Sequence, residues 1–178
     1  MTRPALLRRP AVRPVTGTPS PEFALTCVVE DARWSAVSDA SQLCTRIAAA
    51  CLPTINHDTA LAATVLLTDD AHIQDLNARF RDQNKPTNVL SFPNDDEEPD
   101  PETGALYLGD IAVSYETVLR EAAETDKSLQ DHLTHMIVHG ILHLAGFDHE
   151  DDTEAEEMER LETDILTGFG ISDPYTQI

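Results

Sequence analysis

Apolar positions along this chain recur with two periods, and the places where one period gives way to the other divide it into strands and helices. Residues 23–30 (FALTCVVE) are rich in β-branched and apolar types and read as a first strand. From residue 38 to 52, Leu43, Ile47, Ala50 and Cys51 follow helical spacing, and Pro53 is expected to end that helix. Residues 60–68, with Val65, Leu66 and Leu67 in a row, predict a second strand. Asp69 or Asp70 can then cap a helix whose inward positions are Ile73, Leu76 and Phe80. A polar loop from Arg81 to Asn88 leads into the short run Val89, Leu90, Ser91, Phe92, which Pro93 stops.

Residues 105–114 predict a further strand with Gly109 and Asp110 in its middle, where glycine suggests a bulge or a close backbone approach. Ser114 starts a helix through Leu119 and Ala123. Ser128 and Asp131 have capping-box spacing, and the helix they open runs to about Ala145. Thr153 and Glu156 repeat that signature before a last helix with Ala155, Met158, Leu161 and Ile165 on its apolar face. Strands and helices alternating in this way predict an α+β fold or α/β sandwich: a small mixed sheet of about four strands packed with helices.

The length of 178 residues suits one domain, expected over residues 21–170. A flexible lead-in over residues 1–20 carries Arg3, Arg8, Arg9 and Arg13 among Pro4, Pro10 and Pro14, and residues 171–178 form a short tail. No apolar stretch follows the arginine pair, so a twin-arginine export signal is not expected. Nor does any stretch approach the roughly 20 apolar residues of a membrane span, so no membrane partner is expected. Cys27, Cys44 and Cys51 are too few for a disulfide framework and suit core packing in a reducing, cytoplasmic setting.

Charge adds a constraint. Twelve Lys and Arg against 32 Asp and Glu give a net charge of −20, which argues against non-specific nucleic-acid binding. A local basic groove on an acidic body stays open, and Arg79, Arg81 and Lys85 are the clustered cations of the folded body. The acidic, turn-rich stretch 94–104 reads as a solvated connection.

Candidate chemistry centres on His139, His143 and His149. The first two are four residues apart on a helix, so they project from one face, one turn apart. Gly146 stands where a left-handed residue ends helices, so the chain can reverse and deliver His149 as a third ligand. Three neutral imidazoles with one open position make a catalytic zinc arrangement, one Zn2+ per chain, although imidazoles also suit nickel, copper and iron. Asp148 or another carboxylate could hold the second ring nitrogen of a ligand. His57 and His72 suit ordinary structural roles; His132 and His135, upstream on the same helix, suit supporting ones.

The His spacing equals that of the metzincin peptidases, but the residue after the first histidine is Gly140 in place of their glutamate base. Glycine cannot accept a proton. A peptidase without its base is not expected; the expected chemistry is hydrolysis, with a different base or none.

Three segments resemble the YbeY family of bacterial single-strand-specific endoribonucleases: LNARFR at 76–81 running into KPTNVLSFP at 85–93, LGDIAVS at 108–114, and His132 to His149, including HGILHLAGFDH at 139–149, with the acidic helix from Glu154 to Leu166 after it. Phe147 stands where that family commonly has tyrosine. The resemblance implies a zincin-like His-x3-His helix and a zinc-dependent hydrolase, an endonuclease on single-stranded RNA. It implies action in ribosomal RNA maturation, at the small-subunit 3′ end, and in ribosome quality control. It also implies that Arg81 is the basic residue important for catalysis. A guanidinium there can bind phosphate bidentately and stabilise charge developing at phosphorus, against the plainer alternative of a surface ion pair. A second expectation is a ribosome-associated assembly factor with a structural zinc, whose −20 charge suits basic ribosomal proteins.

Overall fold

The computed structural model describes residues 22–55, 58–96, 98–147 and 152–176. The basic lead-in, His57, Asp148 and His149 lie outside the described residues. Strands β1 (Phe23–Val29), β2 (Leu61–Thr68), β3 (Val89–Pro93) and β4 (Leu106–Ser114) form one sheet in the order β1-β2-β4-β3. β1, β2 and β4 are parallel, and β3 closes the sheet antiparallel to β4. Helices α1 (Ala40–Ile55), α2 (Asp70–Arg81), α3 (Tyr115–Glu124), α4 (Leu129–Leu144) and α5 (Asp152–Thr167) complete a mixed α+β fold. No helix of the described residues is long and apolar enough to cross a membrane.

β2 is covered on both faces. Leu61, Ala63, Val65 and Leu67 join the larger core with Ile47 of α1 and Ile137 and Ile141 of α4. Leu66 points the other way, into a smaller cluster with Ile73 and Leu76 of α2, Leu90 and Ala112. A strand buried on both faces shows a continuous apolar run, which is the pattern at Val65–Leu67.

Local rules hold at most element ends. Asp69 caps α2, its carboxylate accepting from the His72 N–H at 2.8 Å. Ser128 caps α4, its hydroxyl accepting from the Asp131 N–H at 3.0 Å. Three ends differ from expectation. Pro53 sits inside α1, which runs on to Ile55; proline removes one backbone donor, a small loss so near the helix end. Ser114 leads into α3, but its hydroxyl donates to the Asp70 carboxylate instead of capping. Thr153 is already within α5, which is helical from Asp152.

Gly109 has both features expected of it. Leu108 is the extra residue of a bulge, since Tyr107 pairs with Ala62 and Gly109 with Ala63. At φ +137 a Cβ would lie 2.2 Å from the Phe92 carbonyl oxygen of the neighbouring strand, so only glycine fits.

Candidate metal centre

α4 is buried nearly all round, with Leu133, Ile137, Val138, Ile141 and Leu142 fully enclosed. It ends in a Schellman turn: the Phe147 N–H bonds the Leu142 carbonyl at 3.0 Å and the Gly146 N–H bonds that of His143 at 3.1 Å. Gly146 adopts φ +93, which a side chain would resist.

On this rigid element His139 and His143 turn their Nε2 atoms toward each other at 3.1 Å. Two nitrogens bound to one tetrahedral zinc at the usual length stand about 3.3 Å apart, so the pair fits a shared metal. Among the described residues no group of three or more His, Cys, Asp or Glu comes together to hold a metal ion. The expected third ligand, His149, lies outside the described residues.

What holds His139 is Glu162, a residue that the sequence reading missed. Its carboxylate, fully buried on α5, accepts from His139 Nδ1 at 2.6 Å through Oε1. Its Oε2 accepts from His135 Nε2 at 2.9 Å and from the Tyr175 hydroxyl. Burial alone would push this carboxyl up, but the bonds from His135, His139 and Tyr175 outweigh it and hold it down at about 2. The ionised carboxylate keeps a hydrogen on His139 Nδ1, so the Nε2 lone pair faces His143. A signal for Glu162 existed: it stands four residues after Met158 and three before Ile165, on the apolar face of α5.

His135 thus supports His139 through a shared carboxylate. His132 sits further back, its Nε2 2.7 Å from Glu121 of α3. Asn88 donates to the same carboxylate at 3.0 and 3.3 Å and accepts from the Val89 N–H at 2.7 Å. The loop before β3 is thereby tied to the first turn of α4.

Arg81 is exposed at the end of α2, and its guanidinium donates to the Ser91 carbonyl on β3 at 3.0 Å. The Ser91 hydroxyl in turn donates to the Gly140 carbonyl at 3.4 Å. Ser91 of β3 thus touches Arg81 through its carbonyl and the backbone of the histidine helix through its hydroxyl; His139 and His143 meet directly, while Arg81 is linked to their helix only through this residue. Of the neighbouring cations, Arg79 pairs with Asp75 at 3.2 Å.

Gly140 faces the sheet. A Cβ there would lie 3.0 Å from both Cδ1 and Cγ2 of Ile111 on β4, so the position of a metzincin base is occupied by helix-to-sheet packing. Beside the histidines a cleft of about 290 Å³ opens, lined by His139, Ala155, Met158, Glu159, Glu162 and Tyr175.

Relatives of this chain make it a nuclease, one class of hydrolase. The profile of the family described as Endoribonuclease YbeY matches residues 29–170, and the chain belongs to that family. It is 49% identical over 156 residues to the endoribonuclease YbeY of Chelativorans sp. (strain BNC1), covering 88% of this chain and 95% of the relative. It is 57% identical over 112 residues to that of Agrobacterium fabrum, covering 63% and 66%. The solution structure of TM1509 from Thermotoga maritima shares the fold, with a TM-score of 0.51 at 24% identity over 87% of this chain and 99% of that one.

Proposed function

We propose that this chain is a zinc-dependent endonuclease on single-stranded RNA, acting in ribosomal RNA maturation at the small-subunit 3′ end and in ribosome quality control. The observation that carries the metal-dependent reading is the His139–His143 pair, Nε2 facing Nε2 at 3.1 Å with the far side of His139 held by Glu162. The RNA substrate rests on the relatives named endoribonucleases, and the ribosomal setting on the motif resemblance.

His139, His143 and His149 would hold the metal, leaving one position open. The chemistry that a bound zinc supplies is Lewis acidity toward a phosphoryl oxygen and activation of water near neutral pH. Arg81 binds the phosphate and steadies the charge that grows on it; its bond to the Ser91 carbonyl, a residue whose hydroxyl meets α4 at Gly140, supports this role. Glu162 is committed to orienting His139, and Gly140 has no side chain, so neither is the general base.

Metal analysis paired with a cleavage assay on single-stranded RNA tests this. His139→Ala should lose bound zinc and cleavage together. Arg81→Ala should keep the zinc and lose about 100-fold in cleavage, the usual cost of removing one stabilising donor. Cleavage that survives in a zinc-free His139→Ala protein would remove the metal from the mechanism. The net charge of −20 favours one other reading, an assembly factor that binds basic ribosomal proteins around a structural zinc. Wild-type protein that binds zinc but cleaves no RNA would select it.

A further inference from the structure

The chain beyond α5 is built with more care than a tail requires. It reverses at Gly170 (φ +75), and Ile171 returns to the core, its N–H bonded to the Leu166 carbonyl at 3.1 Å. Asp173 then organises a tight turn: its carboxylate accepts from the Tyr175 N–H at 2.9 Å and from the Thr176 hydroxyl at 2.8 Å. The Thr163 hydroxyl of α5 donates to the same carboxylate at 3.2 Å, which anchors the turn to the helix. The product of this turn is the placement of one side chain. The Tyr175 ring stands edge-on to His135 with centroids 5.8 Å apart, and its hydroxyl donates to Glu162 Oε2. The residues matched by the family profile end at 170, five before Tyr175.

We infer that Tyr175 is a positioning residue for the metal centre: its hydroxyl locks the Glu162 carboxylate so that Oε1 stays aimed at His139 Nδ1. This rests on the metal-dependent reading above. A carboxylate buried among apolar side chains can rotate about its last bond unless donors fix both oxygens. Oε1 has His139, and Oε2 has His135 and Tyr175. The two Oε2 donors come from different elements, His135 from α4 and Tyr175 from the segment after α5, so Tyr175 adds a second anchor to the oxygen that His135 already holds. A ligand imidazole whose far nitrogen is held in this way needs no reordering when the near nitrogen binds a metal, and outer partners of this kind typically contribute tenfold to a hundredfold in metal affinity.

The test is zinc affinity, measured by competition with a chromophoric chelator, for wild type, Tyr175→Phe, Glu162→Gln and the double variant. Stability lost equally by the metal-free and metal-bound protein cancels from this ratio, so a merely structural tyrosine would leave it unmoved. Tyr175→Phe keeps the ring and should bind zinc about tenfold more weakly. In the Glu162→Gln background the same change should alter affinity by less than about twofold, since the hydroxyl acts through that carboxylate. Unchanged affinity in Tyr175→Phe, or an equal loss in both backgrounds, overturns the inference. Should Tyr175→Phe fold poorly, Asp173→Ala releases the turn without touching Glu162 and should show the same loss; unchanged affinity there overturns it equally. A wild-type protein that binds no zinc is a different failure, that of the metal-dependent reading itself, and is seen before any variant is compared.

Discussion

Two demands meet on the Cα of residue 140. It follows a metal-ligand candidate, where metzincins place a glutamate, and it lies against β4, where a Cβ would crowd Ile111 at 3.0 Å. Packing wins. Gly140→Glu should therefore create no peptidase. Overpacking the α4–β4 contact costs about 1–3 kcal/mol, and an unpartnered buried carboxylate adds several more. For a domain of this size each kcal/mol lowers Tm by about 2–4 °C, so a fall of at least about 10 °C is expected in thermal melting. A variant that melts with wild type would mean that residue 140 does not face the sheet. Glycine at 140 was legible as the loss of a base, but its reason was not, because that reason is a side chain 29 positions away on another element. Glu162 was half legible: its place on an apolar helical face is visible in the spacing, yet its helix is rich in acids and spacing names no partner. Tyr175 gave no signal at all. Its role depends on a reversal after Gly170 that brings two elements together, which no local period encodes.

Elements carry the second scale, and α4 is the one that the others serve. Its start and stop were plain in the sequence because Ser128 and Gly146 act within one turn of themselves. Pro53 misled for the complementary reason: Ile47, Cys44 and Cys51 bury one face of α1, and that packing carries the helix past a poor local residue. Gly146→Ala forces a side chain onto φ +93 and should cost about 1–2 kcal/mol in denaturant unfolding. On the proposed ligand set it should also weaken zinc binding, because Gly146 lies three residues before His149, the proposed third ligand; full affinity would uncouple the turn from the centre. At the other end of α4, burial pushes the His132 imidazole below its ordinary 6.5, outweighing the pull of Glu121 upward, with His135 and Lys127 adding to the fall. The unfolded chain therefore takes up this proton first as pH drops. Stability that His132 contributes is present above about 6.5 and lost as pH falls through the window below it. In metal-free protein, His132→Gln should flatten the decline in unfolding free energy between about pH 7 and about pH 5 relative to wild type. Parallel curves would show that the fold does not hold this histidine neutral.

On the scale of the whole molecule, the proposed role of Arg81 requires a chain of net charge −20 to bring a polyanion to it. Long-range repulsion opposes the approach, and added salt screens it within about 10 Å at ordinary ionic strength. Local attraction from few cations works the other way. Arg81 and Lys85 flank the loop before β3, and Arg79 beside them is shared with Asp75. Two or three phosphates neutralised on a single strand give a slope of log affinity against log salt of about −1.4 to −2, or about tenfold lost from 50 to 200 mM. Repulsion relieved by the same salt makes the observed slope shallower still. Affinity for a non-cleavable single-stranded RNA, titrated at several salt concentrations, reads this directly, and Arg81→Ala should lower the slope by about 0.7 to 1. A slope steeper than about −4 would need more cations than this loop holds. The remaining large group is Arg3, Arg8, Arg9 and Arg13, so the steep outcome would assign substrate capture to the basic lead-in, and removing residues 1–20 should then return the slope to the shallow value.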